Sequence, residues 1–264
     1  MPNLQIATFN LKSDLLCLGA HAWAKRRELI LRMLRELNAD ITGVQELTPR
    51  MRSDLSRELT DCTLVGRGRC RNFLNEHADI VVRNGLRVLS ESTFWLSKKP
   101  DRVSSLIAPR YPLSWIFPRI CTTAEVTLPE GQRIRVFNTH LDVLSEGLRR
   151  WQLTFICRRI SQYQESDPLP TLLMGDFNAS PKARSIQSLE NGYGFPGVRL
   201  RCITADTDGG TYHHFHGGEG IRRLDYIFAS EEFSLIDAQV IRSCYDGRYP
   251  SDHYPLLALL KLST

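Results

Sequence analysis

Residues 171–181 read TLLMGDFNASP, an apolar run that stops at Gly175 and delivers Asp176 and Asn178 at its end. A short apolar run bounded by turn residues reads as a buried strand, and Asp and Asn suit the turn that follows it. The same arrangement recurs outward in both directions. Upstream, Asn10 follows IATF, Glu46 follows DITGVQ, and His140 and Asp142 follow IRVFNT. Downstream, Asp225 interrupts RRLDYIF, and Asp252-His253 precede YPLLALL. A buried strand that delivers a carboxylate at its end is costly unless that group is paired or bound to a cation. One such residue reads as a cap or an ion-pair partner. Five or six in one chain read as a shared site.

Between these points the apolar spacing predicts strands at Leu4–Phe9, Asp40–Val44, Ala78–Arg83, Arg87–Leu96, Thr122–Leu128, Arg133–Leu141, Pro170–Met174, Leu224–Ala229 and Leu256–Leu262. Glu130-Gly131 marks a hairpin between two of them. Helical spacing appears at Trp23–Leu37, Pro49–Leu59 and Glu146–Tyr163, and the rest of the C-terminal part reads as loop. No Pro/Gly/Ser-rich linker and no repeat divides the sequence, so residues 1–264 are expected to form one domain, a sheet core covered by helices.

Composition sets the outer limits. With 264 residues, 42% hydrophobic and 24% charged, the chain falls outside the collagen-like, disordered and coiled-coil classes. Its 34 basic and 29 acidic residues give a formal charge of +5, and only six of the basic residues are Lys. Arg suits phosphate and carboxylate, a mild lean towards anionic substrates. The cysteine count is odd and no CxxC pair occurs, which argues against a zinc site and a disulfide framework and for a reducing compartment. There is no signal-peptide pattern, and no apolar run approaches the ~18 residues of a membrane span. A soluble, cytoplasmic monomer is expected.

Carboxylates and an amide at strand ends suggest a hard cation on oxygen ligands, with imidazoles for proton transfer. Mg²⁺ prefers one or two carboxylates plus water and substrate phosphate, and Glu46 is the best ligand candidate. A cation there would act as a Lewis acid on a phosphoryl oxygen.

Six segments, TFNLKSD, GVQE, NTHLD, GDFNASP, RRLDYIF and YPSDHYPLL, resemble in order and spacing the motifs of the endonuclease/exonuclease/phosphatase superfamily. The likeness runs from residue 4 to about residue 260, and FWLSKKPD and PRICTTAEV further resemble its bacterial branch of stand-alone phosphoesterases. It implies a four-layer α/β sandwich, two packed, mostly antiparallel sheets flanked by helices, with the site at one mouth. It also implies a Mg²⁺ cofactor, with Mn²⁺ as a substitute. Glu46 would bind the metal, with Asn10 and Asp252 nearby. Asp176 would orient or deprotonate the attacking water, and Asn178 would hold the phosphate. His253 would contact the phosphate or act as base, oriented by Asp225. His140 would stabilise the phosphorane or protonate the leaving group, with Glu76 as partner, and Arg119 would bind phosphate.

The sequence also departs from the family pattern. Some nucleases of the family carry Asp where this chain has Lys12, leaving Asp14 as an outer candidate. The approach to Glu76 lacks the usual Gly-rich segment, and Val143 replaces a second His, so Asp142 is the informative residue on the substrate side there. His213, His214 and His216 lie in a Gly-rich loop that resembles one lining the cleft, with His213 on the substrate side. Substrate readings stay open. A small phosphomonoester or phosphodiester leads, because no Lys/Arg run exceeds three residues. A DNA or RNA nuclease, with Trp95, Trp115 and Trp151 for stacking, is the alternative. A lipid-directed phosphodiesterase or phosphoinositide phosphatase, using LSWIFP at 113–118, and a non-catalytic binding relative follow.

Overall fold

The Leu4–Phe9 run forms β1 (Asn3–Asn10), whose alternate side chains serve two cores. Leu4 and Ile6 face one apolar cluster, Ala7 and Phe9 another. Burial on both faces explains why the strand reads as continuous apolar sequence rather than as an alternation. The structure is a computed structural model and describes residues 3–15, 17–72, 74–102, 117–191, 195 and 197–263. Trp115 and most of LSWIFP lie outside the described residues.

Eleven further strands follow: β2 (Ile41–Leu47), β3 (Cys62–Val65), β4 (His77–Arg83), β5 (Arg87–Trp95), β6 (Ile120–Thr127), β7 (Arg133–His140), β8 (Thr171–Asp176), β9 (Arg201–Cys202), β10 (Asp225–Ala229), β11 (Phe233–Val240) and β12 (Leu256–Leu262). They form two six-stranded sheets, ordered β11-β12-β1-β2-β4-β3 and β5-β6-β7-β8-β10-β9. Each sheet is antiparallel except for one central parallel pair, β1/β2 in the first and β7/β8 in the second. Parallel neighbours need a crossover. Helices α1 (Trp23–Leu37) and α3 (Glu146–Ser166) supply it. With α2 (Pro49–Glu58) and α4 (Arg184–Glu190) they cover the outer sheet faces, giving the expected four layers.

The inner cluster, with Ile6, Ile80, Val136, Met174 and Leu260, lies between the sheets. Near the mouth this core turns polar. Asn138 on β7 reaches across to donate to the carbonyls of Val44 and Asp79, at 3.0 and 2.7 Å, and its Oδ1 accepts from Gln45 at 2.7 Å. A Cβ at Gly43 would lie 2.7 Å from Asn138 Oδ1, so only glycine lets the sheets meet here.

Four elements were not expected from the sequence: β3, β9, β11 and α4. β11 is a sheet edge with mostly exposed residues, which removes the apolar alternation that marks a strand. Among the described residues no helix is long and apolar enough to cross a membrane.

Candidate active site

The two parallel pairs end at the same mouth. β1 and β2 deliver Asn10 and Glu46 there, and β7 and β8 deliver His140 and Asp176. Antiparallel neighbours begin where these strands end, so β10 adds Asp225 and the approach to β12 adds Asp252 and His253. Register makes the juxtaposition specific, setting His140 opposite Asp176 and Asp176 opposite Asp225.

Asp176 is at the centre and 1% exposed. Its Oδ2 accepts from Asn10 Nδ2 at 2.9 Å and lies 3.8 Å from both His140 Nε2 and His253 Nε2. Its Oδ1 accepts from the Asn178 amide at 2.8 Å, while the Asn178 side chain donates to the Leu141 carbonyl. Burial, together with the neighbouring Asp225 charge, pushes the Asp176 carboxyl up to about 7. His253 Nδ1 is 2.9 Å from Asp225 Oδ2. Burial opposes charge on that imidazole, but Asp225 and Asp176 outweigh it and push its pKa up to about 10. His140 behaves in the opposite way. Burial and the nearby Arg119 hold it well below the usual imidazole range, so it is neutral at neutral pH.

Glu46 sits half-buried at the rim with φ +58, a left-handed backbone that a non-glycine residue holds only where its surroundings enforce it. The enforcement is visible: Oε1 accepts from Asn10 Nδ2 at 3.1 Å and Oε2 from the Ser13 amide at 2.8 Å. Each oxygen keeps capacity for a further partner. The following Thr48 caps α2 through Met51 N, which leaves Glu46 out of any capping role. Asp252 is buried and pairs with Lys12 Nζ at 3.1 Å. Asp176, Asp225 and His253 also bring ligand atoms within 4.8 Å of one another, a grouping that could hold a metal ion, with the imidazole hydrogen-bonded to Asp225.

Several residues are placed differently from expectation. Glu76 bonds Arg69, 2.8 Å away, rather than His140. Burial raises its carboxyl pKa even against Arg69. Together with Arg119, these residues line a cleft that opens beside His140. Arg119 is 8% exposed, and its Nε has no partner among the described residues. Asp142 turns its carboxylate to the amides of Leu144 and Ser145, fixing the entry to α3. His213 is fully buried and stacked on Tyr254 at 3.8 Å. Burial lowers its pKa to about 4. In that loop it is Tyr212 that packs on His253, with ring centroids 5.1 Å apart. Lys12, Arg69 and Tyr212 were not recognised as site neighbours, since only the fold brings them to their partners.

Asp225→Asn tests the His253 pairing. Without that charge the imidazole pKa falls by roughly 1–3 units, so the loss of activity at high pH moves down from near 10. A profile of kcat/KM against pH reads this directly, and an unmoved alkaline limb would contradict it.

Two packed sheets with carboxylates, an amide and imidazoles gathered at one mouth define a phosphoesterase of the α/β-sandwich type. The chain belongs to the endonuclease/exonuclease/phosphatase family, whose model matches residues 7–253 and whose members hydrolyse phosphoric esters. No curated protein matches the sequence. Among solved structures, the chain is similar to an endonuclease/exonuclease/phosphatase from Bacteroides vulgatus, at 25% identity over 100% of both chains with a TM-score of 0.87. It is also similar to the Bacteroides thetaiotaomicron mannosyl-6-phosphatase, at 24% identity over 98% of this chain and 100% of the other with a TM-score of 0.85. A functionally unknown conserved protein from Enterococcus faecalis gives the same identity, coverage and score.

Proposed function

We infer that the protein is a Mg²⁺-dependent phosphoesterase that hydrolyses a small phosphomonoester or phosphodiester by attack of water on phosphorus. The observation that carries this reading is Asp176, buried yet poised near neutrality, with two imidazole nitrogens at equal distance from one of its oxygens. A general base works best with a pKa near the working pH.

Asp176 takes a proton from water as the water oxygen bonds phosphorus and the ester P–O bond breaks, the leaving oxygen departing with the bond's electrons and taking up a proton from solvent. His253, held protonated by Asp225, donates from Nε2 to the charge that develops on the phosphoryl oxygens. His140, neutral, offers an uncharged N–H to the same group. Asn178 and Arg119 hold the phosphate, Arg119 with a buried Nε that has no partner among the described residues. The hard oxygen donors of Glu46 suit Mg²⁺ and keep unused acceptor capacity at the rim, with Asn10 bonded to it and Asp252, paired with Lys12, nearby. When bound, the ion supplies a Lewis acid for a phosphoryl oxygen.

A small substrate is favoured over nucleic acid by the placement of Trp95. It is 2% exposed and donates its ring N–H to the Arg69 carbonyl, so it offers no stacking platform. The test is a panel of sugar phosphates, generic diesters, single- and double-stranded DNA and RNA, with and without Mg²⁺. Turnover of a small ester that stops on chelation and returns with Mg²⁺ is expected. Metal-independent turnover would overturn the mechanism, and DNA cleavage with steep salt dependence would make the protein a nuclease.

A further inference from the structure

Not every carboxylate at the mouth is equally open to a metal ion. His253 Nδ1 engages Asp225 at 2.9 Å, and the His253 and His140 rings each stand 3.8 Å from Asp176 Oδ2. Asp252, 2% exposed, faces the Lys12 ammonium at 3.1 Å. Glu46 feels the Lys12 charge but meets no side-chain cation within ion-pair distance among the described residues, and its hydrogen-bond partners are an amide side chain and a backbone N–H.

Lys12 is anchored on both sides of its α-carbon. Its N–H donates to Asn10 Oδ1 at 3.0 Å, and its carbonyl accepts from Arg26 Nη2 at 2.8 Å. Its φ of +56 is left-handed, a backbone that a lysine adopts only under such constraint. Arg26, buried on α1, also donates to the carbonyls of Leu11 and Pro250, at 2.7 and 2.9 Å. One guanidinium thus ties the loop carrying Lys12 to the loop carrying Asp252, and the ion pair is built into the fold.

We propose that Lys12 is a built-in monovalent cation that closes the Asp252 side of the mouth to a second metal ion, leaving one divalent ion on Glu46. Two-metal centres hold their ions roughly 3.5–4 Å apart. A second ion beside Asp252 would have to displace the ammonium or stand next to it, and at such separations the repulsion is strong. Lys12 is therefore a positioning residue that sets metal stoichiometry. The proposal rests on the reading of the centre as metal-dependent.

Ion counting tests it without turnover. Mn²⁺ is titrated into the metal-free full chain, with free ion followed by electron paramagnetic resonance, for the wild type, Lys12→Met and Lys12→Arg. The wild type and Lys12→Arg are expected to bind one Mn²⁺ per chain. Lys12→Met, with no charge, is expected to take a second ion and to bind it about tenfold or more tightly than the wild type does. It should also melt at a lower temperature when metal-free, because Asp252 is left unpaired, and recover with Mn²⁺. Two ions of similar affinity in the wild type would overturn the proposal even if Lys12→Met did not fold. A single ion in both, with Lys12→Met folded, would overturn it while leaving the metal-dependent reading intact. No Mn²⁺ bound to the wild type would remove both.

Discussion

Asp176→Asn is expected to lower kcat by about three orders of magnitude, the scale of a lost general base, while the protein stays folded. The replacement is isosteric and removes the basic oxygen. Asn10 Nδ2 and the Asn178 amide each donate to a different oxygen of Asp176, so the new amide group must turn one NH₂ towards a donor. That mismatch is set against the removal of a buried charge held beside Asp225. Steady-state kinetics on the best substrate of the panel and thermal unfolding separate the two effects. The wild-type kcat/KM should rise as Asp176 deprotonates near pH 7 and fall as His253 loses its proton near pH 10. In the variant the acidic limb should vanish. Retention of more than a tenth of wild-type activity would assign the base elsewhere.

Gly175→Ala carries the largest structural effect. Gly175 has φ +145, a region closed to residues with a Cβ, and the added carbon would lie 2.0 Å from the Thr139 carbonyl oxygen. The obstacle is backbone, so no side-chain rotation relieves it. β7 and β8 must separate where Thr139 faces Gly175, one position before His140 and Asp176. A loss of about 3 kcal/mol or more is expected, read as a drop in denaturant midpoint, with activity lost in whatever fraction remains folded. A variant as stable and active as the wild type would mean that the two strands can part without cost.

Both predictions fall within the segment whose pattern was plainest in the sequence, for a physical reason. Central strands buried on both faces must be continuously apolar, so β1 and β8 announce themselves and so do the polar residues that end them. The α1, α2 and α3 patterns were readable because each buries one stripe. β11 and α4 were hidden, one exposed at an edge and the other only seven residues long. At the site, residue types were legible and most pairings were not. The Asp225–His253 pair was anticipated and the structure brings it together, but Glu76 found Arg69, and Asp252 found Lys12. Partner choice depends on register and loop path, which periodicity does not encode. The 211–217 loop shows the same dependence: an isolated bridge sets Tyr212 against His253, and His213 stacks on Tyr254.

The polar contacts of Asn138 join the two sheets just beneath the mouth, and the site itself straddles the same seam. Asn10 and Glu46 belong to one sheet, whose β12 is approached through Asp252 and His253, and His140, Asp176 and Asp225 belong to the other. The bonds from Asn10 to Asp176 and from His253 to Asp225 both cross the divide. Neither half of the sandwich holds a working set of groups by itself. A sliding of one layer past the other by a single residue would part base from amide and imidazole from carboxylate at once. Hydrolysis by this protein therefore reports on the alignment of its two layers, and activity should fade on mild denaturation as soon as that alignment loosens, before the strands themselves melt.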